Sequence, residues 1–176
     1  MKKDNWSKMT KAQKKIEVAK DVIKQLKVGA YQSTSGTYLE IINDTWEIQE
    51  EQANKCISKD FPCKVCALGS IFMSHVMLRN HLTIDELEMT DDIAMRKRLE
   101  GVFTNNQLHL IETAFERRIV NDDIEYICKE PRSFWNSVPT TIGQKAIDFG
   151  KKYSDSTVRL IMIMKNIIKN DGQFKP

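Results

Sequence analysis

Four cysteines are the residues of this 176-residue chain whose type and spacing first suggest chemistry. Cys63-Lys-Val-Cys66 has the spacing of half a zinc site, with Cys56 available as a third ligand and Cys128 or a histidine as the fourth. The same pair is a C-x-x-C redox motif, and a cysteine at a helix N-terminus has a lowered pKa and turns nucleophilic. Against zinc, no second C-x-x-C is present and Cys66 leads directly into an apolar run. Against redox chemistry, no βαβ pattern surrounds the pair. Free cysteine mostly behaves as a small apolar residue, so buried, reduced structural thiols are the plainest expectation. No metal or cofactor is assigned. His75, His81 and His109 are scattered, and Ser74 beside His75 points away from it, because neighbouring positions on a helix do not face each other. The phosphate-loop, dinucleotide, zinc-protease and serine-hydrolase signatures are all absent. No catalytic residue is therefore named, and the enzyme question stays open with the weight toward a binder.

A second constellation consists of hydrogen-bond donors around a run of small residues. Pro62 to Asn80 is apolar nearly all the way round, too short to span a membrane, and reads as a buried central helix over about 63–80. Along it Cys63, Cys66, Ala67, Ser70 and Ser74 form one stripe, with Gly69 alongside. Small side chains admit another backbone, so a tight helix crossing is one reading. The other is a pocket floor beside a helix N-terminus, where free N–H groups favour an anion. Lys64, Ser70, Ser74, Arg79 and Arg159 would supply donors there, with Tyr31 or Trp135 stacking on a base.

These residues need helices to hold them. From Thr10 the pattern Ile16, Ala19, Val22, Ile23, Leu26 marks an amphipathic helix ending at Gly29, with Thr10 and Gln13 spaced as a capping box. Its lysines read as a solvated face in preference to a nucleic-acid patch. Thr37–Ile42 and Thr45–Ile48 flank Asn43-Asp44 and suggest a small β-hairpin near 37–48, with a short helix as the competing expectation. Glu47, Glu50 and Glu51 are expected near the lysine-rich first helix. Further capping-box spacings begin at Thr83, Thr104 and Thr141. They lead helices that bury Leu108, Ile111, Phe115 and Ile119, then Ile142, Ala146 and Phe149. Phe134-Trp135 lies in an aromatic loop. The last helix, about 157–169, is strongly apolar and is expected to pack on the central one; Arg159 and Asn166 share a side and need partners if buried.

The fold class that follows is mainly α, a multi-helix single domain over 1–176. Hydrophobic residues are 41% and charged residues 29%, an ordinary globular balance. A net charge of +3 is too small to indicate nucleic acid. No apolar segment follows the basic N-terminus, which points to a cytoplasmic protein with reduced thiols and no membrane association.

Two segments resemble small bacteriophage accessory proteins: Cys63-x-x-Cys66-Ala-Leu-Gly-Ser leading into the apolar helix, and Met164-Lys-Asn-Ile-Ile-Lys-Asn-Asp-Gly-Gln-Phe-Lys-Pro176. The resemblance implies a protein that binds and blocks a host component in a bacterial cell, and it implies no catalytic residues. The expected function is sequestration of a small anionic, nucleotide-like ligand of the kind that serves as a bacterial immune signal. The alternative is an interaction module that blocks a host protein through the aromatic loop or the lysine-rich first helix. A zinc-stabilised or redox module on Cys63 and Cys66 is the second alternative. A homo-oligomer is compatible with the apolar last helix.

Overall fold

Thr10 opens the first helix. Its hydroxyl accepts from the Gln13 N–H and the Gln13 side chain accepts from the Thr10 N–H, the reciprocal box that the spacing anticipates. The computed structural model describes residues 6–36, 38–41, 62–79, 92–117 and 140–176. Within them run α1 (Lys11–Lys27), β1 (Tyr31–Ser33), β2 (Leu39–Ile41), β3 (Cys63–Val65), α2 (Ala67–Arg79), α3 (Asp92–Leu99), α4 (Asn105–Glu116), α5 (Thr140–Lys151) and α6 (Ser156–Lys169). The architecture is mainly α, with one small mixed sheet.

The sheet corrects two expectations. Strand β3 lies between the others, parallel to β1 and antiparallel to β2, with Tyr31 opposite Cys63 and Leu39 opposite Val65. The first β-favouring run does form a strand, but it pairs with β3 instead of folding back across Asn43-Asp44. The second run lies outside the described residues, as do Glu47, Glu50 and Glu51. Cys63–Val65, assigned above to the start of the central helix, is the middle strand. Cys63 and Val65 are buried and Lys64 between them is half exposed, the period-2 alternation of a strand. Two neighbouring strands satisfy its backbone groups, and the helix begins only at Ala67.

Helix α2 is dry from Ala67 through Val76. It packs on α1, α3 and α4, while α6 packs on α1 and α4, and α4 packs on α5. The central and last helices are thus not principal partners: α1 and α4 stand between them. Each apolar helix needs a covering surface, and the buried arc of α1 (Val18, Ala19, Val22, Leu26) serves both. All these elements share one hydrophobic cluster. Helices α4 and α5 come close at Gly150, where a Cβ would overlap the Ala114 carbonyl oxygen.

Three other expectations change. Thr141 lies inside α5 and Gln144 donates to Asp148, so no capping box forms there. Ile142 is 38% and Val158 47% exposed, because each lies on the outer side of its helix. At α4 the Thr104 cap is made, but the Gln107 side chain accepts instead from the Phe174 N–H of the C-terminal tail. Thr83 and Ile119 lie outside the described residues. No helix among the described residues is long and apolar enough to cross a membrane.

Candidate functional site

The small-residue stripe is filled by its own protein. A Cβ on Gly69 would overlap the Tyr38 carbonyl oxygen, so the backbone beside β2 lies directly on the start of α2. Ser70 Oγ donates to Ala67 O at 2.8 Å. Ser74 Oγ meets the Tyr31 hydroxyl at 3.4 Å, and that hydroxyl also reaches Met77 Sδ. Ser70, Ser74 and Tyr31 are buried, and burial raises the Tyr31 pKa. Of the expected ligand-binding residues, the stacking candidate Tyr31 and the donor Ser74 are in mutual contact. Lys64 lies half exposed on β3. Arg79 ends α2, with its side chain outside the described part, and Trp135 lies outside it as well.

Arg159 is 1% exposed. Its guanidinium donates to Phe115 O at 2.7 Å, Ser154 O at 2.8 Å and Tyr153 O at 3.0 Å. Those carbonyls belong to the end of α4 and to the turn that follows α5. Carbonyls at helix ends lack intrahelical partners and attract a cation. Arg159 therefore caps the end of α4 and pins the turn between α5 and α6. Asn166 likewise has its partners: its amide donates to Lys175 O and accepts the Lys175 N–H, both at 2.8 Å. The Asn–Asn–Gly–Phe ending that carries the bacteriophage resemblance is a docking device for the tail. Asn170 bonds back to Asn166, Gly172 turns at φ +80, and the buried Phe174 ring stacks edge-on against Phe149.

The cysteines divide. Cys63 is disulfide-bonded to a partner outside the described residues, which overturns the expectation of a reduced thiol and takes it out of a zinc half-site. Cys66 is a free, buried thiol that accepts the Gly69 N–H at 3.4 Å. Burial pushes its pKa up to about 12, so the neutral thiol persists and the nucleophilic form is disfavoured. Cys56 and Cys128 lie outside the described residues. Among those described, no group of three or more His, Cys, Asp or Glu side chains is placed to hold a metal ion.

Two other places stand out, one that the sequence did not single out and one that it showed in part. The first is a buried polar seam. Arg96 on α3 pairs with Glu112 on α4, both about 95% buried or more. His109 lies one turn before Glu112, its pKa held below 6.5 by burial and by Arg96. The Thr113 hydroxyl and His109 Nδ1 have no hydrogen-bond partner. A charge pair this dry ties α3 to α4.

The second is a lysine face. Residues 6–36 carry seven lysines against Glu17 and Asp21, and residues 140–176 carry six lysines and Arg159 against Asp148, Asp155 and Asp171. Helices α1 and α6 run antiparallel: Ser33 beyond α1 hydroxyl-bonds Ser156 at the start of α6 at 2.7 Å, and Gly172 beyond α6 lies against Ala12. Lys20, Lys24 and Lys27 share one stripe of α1, and Lys165 and Lys169 share one of α6; all five are exposed. Glu17 bonds Lys20 at 2.8 Å, and among the described residues the other four pair with no carboxylate. The i, i+4, i+7 spacing of the α1 lysines was visible in the sequence. What the sequence hid was that α6 would lie beside them.

Comparison with known proteins returns no match: no protein-family model fits the chain, and neither a curated protein nor a solved structure matches it.

Proposed function

We propose that this chain is a non-catalytic binding protein whose working surface is the lysine face of α1 and α6, and whose partner is an acidic protein. The observation that carries this is the gathering of exposed lysines from the two ends of the sequence onto one antiparallel helix pair. Such a field speeds encounter with an acidic surface and selects against basic ones. A pocket for a nucleotide-like ligand has less support. Ser70 and Ser74 are buried and bonded, and Arg159 holds three backbone carbonyls elsewhere. A blocking role against a host protein in a bacterial cell agrees with what the bacteriophage resemblance implies.

The test compares the natural chain with a Lys24→Glu/Lys27→Glu/Lys169→Glu variant in pull-downs from bacterial lysate. A stoichiometric protein retained by the natural chain and lost by the variant, at unchanged melting temperature, is the expected result. Equal retention by both places the working surface elsewhere. A thermal shift with nucleotides or cyclic nucleotides, unaffected by the charge reversal, would return the small-ligand pocket to first place.

A further inference from the structure

We infer that the seam between α1 and α6 seats a third helix, an amphipathic helix of the partner that is apolar on one stripe and acidic on its flanks. This rests on the lysine-face reading and adds to it the shape of the partner.

Ile16 and Ile23 lie seven residues apart on α1, and Ile161 and Ile168 lie seven apart on α6. Seven residues are two turns, so each pair occupies one stripe of its helix. The antiparallel anchors at Ser33–Ser156 and Ala12–Gly172 bring Ile23 level with Ile161 and Ile16 level with Ile168. All four are half-buried: Ile23, Ile161 and Ile168 rest on the core with one side and leave the other toward solvent. The result is an aliphatic floor two turns long, about 10 Å.

Its rim is cationic. Lys20 and Lys27 stand one turn beyond Ile16 and Ile23, and Lys165 stands one turn from both Ile161 and Ile168. An apolar groove between two helices is the geometry that accepts a third by ridge-into-groove packing. Lysines on both edges select glutamate or aspartate at the flanking positions of the incoming helix. Other polyanions use this surface less well. A phosphate backbone gains nothing from an aliphatic floor, and this rim holds no arginine to read base edges. A bilayer needs a broad exposed apolar face to insert, whereas these four isoleucines are half-buried and the lysines beside them are exposed.

The probe is a three-heptad helical peptide with leucine at positions a and d and glutamate at e and g, titrated against the full chain by fluorescence anisotropy. The expected result is saturable binding that weakens at least about tenfold, or 1.4 kcal/mol, in Lys20→Glu/Lys165→Glu. A similar loss is expected in Ile23→Ser/Ile161→Ser, whose fold is checked by circular dichroism. Should the isoleucine pair not fold, a peptide with serine replacing leucine at a and d takes its place and must bind at least about tenfold more weakly. Equal binding of the leucine and serine peptides, both abolished by charge reversal, overturns the seam while leaving the lysine face standing. Binding of a duplex DNA probe in place of either peptide overturns both readings. No binding by any probe, or a dimer of the natural chain that Lys165→Glu dissolves, overturns the helix-docking inference.

Discussion

Every residue of α2 from Ala67 to Val76 is buried, and its neighbours α1, α3, α4 and the sheet leave it no wet edge. Helix α6 has a similar length and a similar supply of Leu, Ile and Met. Yet it buries Arg159, Leu160, Ile163, Met164 and Ile167 on one side and keeps Val158, Lys165 and Lys169 in solvent. The contrast separates two uses of an apolar helix. One surrounded on all sides stabilises, and its two serines are bonded internally. One covered on a single side still has an edge to offer, and that is where recognition has room to occur.

This contrast can be broken from the inside outward. Arg96→Ala removes the cation that pairs with the buried Glu112 carboxylate and should cost about 3–5 kcal/mol in urea unfolding. Arg96→Met/Glu112→Leu, which removes both charges, should recover most of that loss. Arg159→Leu takes the guanidinium donor from one helix-end carbonyl and two turn carbonyls and should cost about 2–3 kcal/mol. Gly69→Ala drives a methyl into the Tyr38 carbonyl and should cost about 1–3 kcal/mol, because backbone must move. On the outer edge, Lys165→Glu and Lys169→Glu should change stability by under about 0.5 kcal/mol while weakening partner binding. If the surface variants unfold the chain, the distinction between the two helices fails.

Stability should also form a plateau in pH. His109 is held neutral when folded, its pKa below 6.5, so the unfolded chain binds more protons just under that value and stability falls as pH drops through it. Cys66, raised from 9.0 to about 12, and Tyr31, raised above 10.0, lose their protons first in the unfolded chain, so stability falls as pH climbs past 9.0. Thermal melts should be flattest between those limits, and His109→Gln should shallow the acid side.

Much of the helical frame could be read from local signals. Thr10 and Gln13, the Thr104 cap, the α4 face of Leu108, Ile111 and Phe115, and the end of α6 at Asn170-Asp-Gly172 all act within one or two turns. The sheet was not legible, because three residues from Cys63 to Val65 are too few to show period-2 alternation. Their partners lie more than 20 residues away along the chain. Lys15 reads with the other lysines as part of a solvated face, yet it is buried and lays its ammonium 5.7 Å over the Phe103 ring. The candidate face was half legible, since the sequence shows the lysine stripe on α1 but not the neighbour that turns it into a surface. Arg159 shows the same limit. Its need for partners followed from its place on an apolar helix, but their identity as carbonyls depended on where α4 and α5 end.

The Arg159 guanidinium has a consequence for how the molecule comes apart. One side chain on α6 fastens the tail of α4 and the turn after α5, so none of these three helices can fray at that end without releasing the others. Amide protons along α4, α5 and α6 should therefore exchange with deuterium in a single concerted opening. The rate of that opening would be set at a point remote from the lysine rim, leaving the recognition edge free to change without loosening the body that carries it.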